Sequence, residues 1–538
     1  MKNPTHRFDT HYETHFANRV IRCFRQRPDS VQAMLQSALE HNPEGDAFVF
    51  QEQHVSYRAL ARQAARAAAT LHGLGVRPGD RVALVLRNGP AFMHALFGAL
   101  WLGAIAVPLN AREQGAGLAL IFADCTPKVA IAEADLVERL HRGGATQGLA
   151  ALFAAGGDAP GARPFEALFE GAAVDPPMAL PDQEDTAVLL YTSGTTGRPK
   201  GAMLTHLNIA HTVKLWEKAM DLRFAERSVL AVPGSHVTGL MGIIFTMLHM
   251  AGCTLIMPRF DAAEFNQLVA NENATSTIMV PAMYKLCLMR ANFDVLDLSN
   301  WRVGAFGGAP MPESTILEFQ ERLPHLRLMN AYGATETSTA VTAMSPDHQL
   351  EHLDSIGRVL DCVDIRIMDE QGQECPAGVS GELWISGPVV IPGYWRDSER
   401  TAENFIGGYW RSGDIGDIGP DGYVRIFDRK KDMIIRGGYN IYCIEVENAI
   451  AYHPDVAECA VIGVPDPVLG EKILAVVCSR ESNLDADTLR RFCADRLADY
   501  KVLDFVHLQA EPLPRNANGK VMKTTLRERL PHPETEPC

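Results

Sequence analysis

Residues 189–201 read LLYTSGTTGRPKG. An apolar run passes into a loop of Thr192, Ser193, Thr195 and Thr196, spaced by Gly194 and Gly197, which closes on Lys200 and Gly201. Glycines let backbone N–H groups approach an anion, hydroxyls add donors, and the lysine adds a point charge. Such a loop is built to hold phosphates. The spacing G-x-x-x-x-G-K-[ST] cannot be laid on it, so the P-loop NTPase fold is not implied.

Outward from the loop, the N-terminal flank alternates helix and strand. Residues 57–76 (YRALARQAARAAATLHGLGV) carry an alanine-rich helical pattern, RPGD turns, RVALVL reads as a strand, AFMHALFGALWLGA as a buried helix and AIAVPL as a strand. This alternation predicts a parallel, helix-covered sheet. Residues 143–181, rich in Ala, Gly and Pro, have weak periodicity and read as a surface connection. Between 355 and 427 the runs VDIRIMDE, GELWISG and YVRIFD predict a small antiparallel or barrel-like subdomain. The expected fold class is α/β: a large N-terminal domain (1–430) of helix-covered, parallel-rich sheets plus that β-rich subdomain, then a small α+β C-terminal domain (431–538).

Composition bounds the rest. At ~150 residues per domain, a chain of 538 residues has several lobes, each able to bury a core. With 47% apolar and 21% charged residues it reads as a folded globular protein. Lys plus Arg number 50 against 65 Asp plus Glu, a net −15, which opposes a nucleic-acid backbone or an anionic lipid surface. Any anionic ligand must be held locally. Eleven scattered cysteines without a C-x-x-C pair read as free thiols in a reducing cytoplasm. The first twenty residues are polar and His-rich and form no secretory signal. Residues 91–109 and 237–258 are apolar enough to span ~30 Å of hydrocarbon, but their His, Gly and Pro residues favour a buried helix and strand.

The loop resembles the AMP-binding signature of the adenylate-forming enzymes, the superfamily of acyl-CoA synthetases, luciferases and peptide-synthetase adenylation domains. The remaining motifs follow in order from about residue 56 to 526. Gly307-Gly308-Ala309-Pro310 is similar to the family's adenine loop, and Tyr332-Gly333-Ala334-Thr335-Glu336 to its Y-G-x-T-E motif. Gly381-Glu382-Leu383 and Gly393-Tyr394 match structural turns. Tyr409-Trp410-Arg411-Ser412-Gly413-Asp414 stands in the place of W-x-T-G-D, with Ser412 keeping the hydroxyl. Residues 428–432 (DRKKD) resemble the hinge, Gly437-Gly438-Tyr439 the glycine loop after it, and residues 514–520 (PRNANGK) the C-terminal lysine motif.

The resemblance implies an ATP-dependent acid:CoA ligase. A carboxylate is a poor acyl donor; joining it to AMP with release of pyrophosphate makes it a good one, by positioning and charge stabilisation rather than through an enzyme nucleophile. By resemblance, the residues at 192–200, Gly308, Ala309, Pro310, Tyr332, Gly333 and Arg429 bind ATP or AMP. Thr335 meets the α-phosphate, Glu336 holds Mg²⁺, and Asp414 takes the ribose hydroxyls. Lys520 bridges the attacking carboxylate and the α-phosphate. A mobile C-terminal domain, hinged at Lys431, then admits coenzyme A along Gly437, Gly438 and Tyr439.

By the same resemblance, His236, in Pro233-Gly234-Ser235-His236-Val237, is the candidate for the gate beside the acyl carboxylate. Val237, Met283, Gly307 and Ala331 are expected to line the acyl pocket, with Gly307, Gly308, Ala331 and Gly333 leaving room in it. Val237 sits where amino-acid-activating members carry an acid, and an unpaired ammonium beside Val would be costly. A fatty or an aryl acid is therefore expected, with a homodimer allowed. A carrier protein or another acceptor in place of CoA, and a scaffold that keeps the fold without the chemistry, are the alternatives. His11 and His15, in H-x-E-x-H order within a polar terminus, read as a solvated tail rather than a metal site. The stripe Met279, Met283, Leu286, Leu288 and Met289 reads mostly as core.

Overall fold

The computed structural model describes residues 9–170, 177–192, 199–290, 293, 295–309, 311–479, 484–515 and 521–530. The chain forms two compact units: Met1–Ile365 with Ile385–Arg411 and Gly422–Val424, and Arg366–Trp384 with Ser412–Asp421 and Arg425–Cys538. Asp428, Arg429 and Lys430 thus group with the second unit, whereas the sequence placed them at the end of the first domain. Local bonding accounts for the grouping, since Asp428 accepts the Cys443 N–H and Lys430 pairs with Glu382 at 3.2 Å.

The first unit is built on two large sheets. Seven strands run in the order Lys200–Thr205, Thr186–Thr192, Ile105–Pro108, Arg81–Val85, Val129–Glu133, Ala151–Ala155 and Arg163–Pro164, parallel except for the first pair. Nine strands form the other sheet. Its centre runs Arg327–Gly333, Val303–Phe306, Ser276–Met279, Arg227–Leu230 and Cys253–Ile256, all parallel. The alanine-rich pattern becomes the helix Tyr57–Gly73, capped by the Ser56 side chain on the Ala59 N–H. Its buried small residues let the almost wholly buried helix Pro90–Trp101 approach so closely that a Cβ on Gly98 would stand 2.6 Å from that of Ala67. Tyr57 anchors the assembly, its buried hydroxyl donating to the Gly252 carbonyl at 2.6 Å.

Three sequence expectations are corrected. The supposed surface connection supplies the fully buried strand Ala151–Ala155, whose apolar run shows no alternation because both faces are covered. The supposed solvated tail is an antiparallel hairpin, Thr10–His15 with Arg19–Phe24. Its buried side carries Ile21 and Cys23, while His11, His15 and Arg27 all bond the Glu13 carboxylate. In the methionine stripe, Met279 ends the buried strand Ser276–Met279 and Leu288 is buried, but Leu286 and Met289, three residues apart on the helix Pro281–Arg290, are exposed on one face.

The stretch 237–258 forms a π-helix, Thr238–Phe245, continued by Thr246–His249 and the buried strand Cys253–Ile256. Among the described residues no helix is long and apolar enough to cross a membrane. The second unit has a sheet in which Gly470–Ser479 pairs antiparallel with Val456–Asp466 and parallel with Phe505–Gln509, packed on the helices Cys443–Ala451, Ala486–Ala494 and Lys523–Arg529.

Candidate active site

Parallel strands deliver the predicted residues to one edge. His236 and Val237 follow Arg227–Leu230, Met283 follows Ser276–Met279, Gly307 and Gly308 follow Val303–Phe306, and Ala331, Tyr332 and Gly333 end Arg327–Gly333. These four strands are consecutive neighbours, so the loops leaving their carboxyl ends lie side by side, where ligands bind in open α/β sheets. Val237, Met283 and Ala331 pack against one apolar cluster.

Backbone proximity explains the glycines. A Cβ on Gly307 would meet the Ala331 carbonyl oxygen at 2.4 Å, and one on Gly333 the Thr339 carbonyl oxygen at 1.9 Å. Their bareness therefore serves chain packing first, rather than pocket volume. Gly308 is left-handed, at φ +79°. Ala309 follows it in the same loop.

Glu336 sits on the short 3₁₀ turn Thr335–Thr337, held from both ends. Its carbonyl accepts the Ile391 N–H at 3.0 Å, and its Oε1 accepts the Tyr394 hydroxyl at 2.9 Å. Burial and the Glu336 charge keep that phenol protonated, far above its ordinary range. Lys200 pairs in register with Thr192, and its Nζ lies 5.0 Å from the centre of the Tyr394 ring. Burial lowers the Lys200 pKa while Glu336 opposes that shift. A cation, a phenol and a carboxylate thus converge beside the strand ends. The sequence treated Gly393-Tyr394 as a turn only; a tyrosine in a glycine turn gave no sign that its hydroxyl would reach Glu336.

His236 is also fixed. Its Nδ1 accepts the Thr238 N–H at 3.3 Å, which leaves the proton on Nε2, and burial lowers its pKa so that the ring is neutral near pH 7. Asn88 holds the preceding loop, donating to the Val232 carbonyl at 2.9 Å and accepting the Gly234 N–H at 2.7 Å. No sequence pattern announced Asn88.

The second unit, by itself, holds a further group of the predicted residues. Asp414, 4% exposed, pairs with Arg429 Nε at 2.6 Å, and its N–H donates to Ser412 Oγ at 3.0 Å. Lys431 is exposed on a turn, and Gly437, Gly438 and exposed Tyr439 follow, both glycines left-handed at φ +58° and +86°. Those φ values, rather than space for a thiol, are what exclude side chains there. Ser193, Gly194, Thr195, Thr196, Pro310 and Lys520 lie outside the described residues.

As for Mg²⁺, Glu336 offers a hard carboxylate, oriented through one oxygen, in electrostatic reach of Lys200. This donor set fits an ion that takes one or two carboxylates and completes its shell with phosphates and water. In the hairpin, Glu13, His15 and Cys23 place ligand atoms within 4.8 Å of one another. There, however, Arg27 occupies both Glu13 oxygens at 2.7 Å, so the cluster is an ion-pair network.

The model of the AMP-binding enzyme family matches residues 35–395, and that of the AMP-binding enzyme C-terminal domain matches 445–520. A long-chain fatty-acid–CoA ligase of Mycobacterium tuberculosis is 34% identical over 501 residues, covering 92% of this chain and 97% of its own. A feruloyl-CoA synthase of Amycolatopsis is 37% identical over 480 residues, covering 88% and 94%. Among solved structures, o-succinylbenzoate CoA synthetase from Bacillus subtilis, in complex with its acyl-adenylate intermediate, superimposes with a TM-score of 0.83 at 26% identity, covering 93% of this chain and 98% of that one. ATP-bound MatB from Rhodopseudomonas palustris gives 0.84 at 29% identity, covering 93% and 99%.

Proposed function

This chain belongs to the AMP-binding enzyme family, and from that premise we propose that it activates an apolar carboxylic acid, fatty or aryl, as its acyl-AMP and passes the acyl group to coenzyme A. The observation that carries this reading is the Lys200–Tyr394–Glu336 convergence at the strand ends. In the first half-reaction, a carboxylate oxygen of the acid forms a bond to the α-phosphorus of ATP while the bond to pyrophosphate breaks. In the second, the CoA sulfur bonds the acyl carbon, AMP leaves with the bonding pair, and the thiol proton goes to solvent.

Two anions must meet in the first step, so cations decide it. Lys200 and the hydroxyls of 192–196 hold the phosphates, Thr335 donates to the α-phosphate, and Lys520 lies between the two reacting groups. Mg²⁺, bound to Glu336 with the nucleotide, supplies charge neutralisation on the phosphates. Gly308, Ala309, Pro310, Tyr332 and Gly333 hold the adenine; Asp414, oriented by Arg429, accepts the ribose hydroxyls.

Neutral His236 donates from Nε2 toward the acid's carboxylate, while Val237, Met283 and Ala331 take its apolar body. No acidic group stands at Val237, which disfavours amino acids. Lys431 serves as the hinge by which Lys520 withdraws, and Gly437, Gly438 and Tyr439 receive CoA.

The test is pyrophosphate release from MgATP over a panel of C2 to C18 fatty acids, benzoates and cinnamates, with and without CoA, beside Lys520→Ala. Sustained CoA-dependent turnover with one acid class, abolished by Lys520→Ala, is expected. Release that runs without CoA turnover would instead place the acyl group on another acceptor.

A further inference from the structure

We infer that Arg19, on the N-terminal hairpin, is a positioning residue for Glu336 and so a determinant of Mg²⁺ use in adenylation; this rests on the reading of Glu336 as the Mg²⁺ carboxylate. The hairpin precedes the part of the chain matched by the family model, which begins at residue 35.

The link is a run of backbone. Arg19 donates from one guanidinium nitrogen to the Ile391 carbonyl at 3.0 Å and from the other to the Pro392 carbonyl at 2.9 Å. Two groups of the same segment hold Glu336: the Ile391 N–H bonds its carbonyl and the Tyr394 hydroxyl, two residues after Pro392, bonds its carboxylate. Elsewhere the segment is tied to the strand Lys200–Thr205, by Met203 N–H on the Gly393 carbonyl at 3.2 Å and Trp395 N–H on the Gly201 carbonyl at 2.7 Å. Asn208 takes the carbonyls of Pro388 and Val390. Arg19 thus bonds the carbonyls of 391 and 392, which lie between those taken by Asn208 and those taken by the strand.

The site is made for a guanidinium. A planar fork satisfies two successive carbonyls at fixed spacing, which a single ammonium cannot. The group lies 5.4 Å from the Phe16 ring and 5.7 Å from that of Phe405, and Phe405 packs edge-on against Tyr394 with ring centres 5.7 Å apart. Phe405 thus couples Arg19 to the Tyr394 ring by a second route. Burial of Arg19 lowers its pKa, as desolvation of a cation must. The cation is thus held by carbonyls and aromatic rings, while the N-terminal segment is tied to the body independently by His15 on Glu184 and Arg27 on Gln183.

The test measures pyrophosphate release at saturating acid while free Mg²⁺ and MgATP are varied, for wild type, Arg19→Met, Arg19→Lys and Glu336→Gln. Losing hydrogen bonds of about 1 kcal/mol each predicts, for Arg19→Met, a roughly fivefold or larger rise in half-saturating Mg²⁺. The KM for the acid should not move and the melting curve should stay cooperative. Arg19→Lys, which keeps the charge but offers a single nitrogen in place of the planar fork, should recover part of the loss, and it carries the test alone if Arg19→Met does not fold. Mg²⁺ dependence within twofold of wild type in the folded variants would overturn the inference. So would acid KM, kcat and folded fraction falling together, the mark of a purely structural role. If Glu336→Gln keeps wild-type Mg²⁺ dependence, the reading of Glu336 fails; if it is impaired while the Arg19 variants are normal, only the role of Arg19 falls.

Discussion

Replacing Tyr394 by Phe removes the hydroxyl that meets Glu336 in the proposed active site, together with that hydroxyl's bond to Trp410. The hydroxyl donates to Glu336 Oε1 at 2.9 Å, and its elevated pKa keeps it a donor at every working pH. Phenylalanine keeps the ring, and with it the edge-on contact to Phe405 and the aromatic face under Lys200. The loss that bears on MgATP is the hydrogen bond from a neutral donor to a carboxylate, worth about 1.5–3 kcal/mol. Glu336 is only half-buried and water can replace part of this, so the lower end applies: about 1.5 kcal/mol, or roughly tenfold in kcat/KM for MgATP. The assay is pyrophosphate release against MgATP at saturating acid and CoA, with the KM values of acid and CoA measured alongside. Those KM values should stay at wild-type levels. A kcat/KM for MgATP within twofold of wild type, in a protein whose Glu336→Gln variant is inactive, would refute the claim that Tyr394 orients the carboxylate.

Two further outcomes concern stability. Lys523 pairs with Glu447 at 2.7 Å, mostly buried and near buried Asp428. Lys523→Met leaves those carboxylates uncompensated and should cost about 3 kcal/mol, lowering the urea midpoint of the second unit. Lys523→Met with Glu447→Leu should recover most of it, and no recovery would contradict the pairing. Glu13 is held down to about 2 from an ordinary 4.5, chiefly by the Arg27 hydrogen bond. A depressed carboxylate stabilises above its unfolded pKa, so this contribution is present above pH 4.5 and lost as the pH falls toward 2. The melting-temperature gap between wild type and Glu13→Gln should therefore close over that range; a gap independent of pH would count against it.

The parallel core and the strand-end residues were legible because their signals are local. Alanine-rich helices, short apolar strands and the ordered glycine and hydroxyl motifs each name their own element. Tyr394 was not legible, because its partner lies 58 residues away and only the fold brings them together. Arg19 was hidden for the same reason, across 372 residues. The hairpin itself was missed because ion pairs around Glu13 tie its polar side, although Ile21 and Cys23 do recur at the period of a strand. Residues 151–155 were missed because a strand buried on both faces shows no alternation.

The π-helix Thr238–Phe245 closes each ring with one residue more than an α-turn, so the wall behind His236 holds a spare residue. A π-turn takes up its extra residue locally, so deleting one residue within 238–245 restores an α-turn while the side chains on either side keep their present faces. Under the proposed function, chain length in this segment is a way to reshape the surroundings of His236 without exchanging a single flanking side chain.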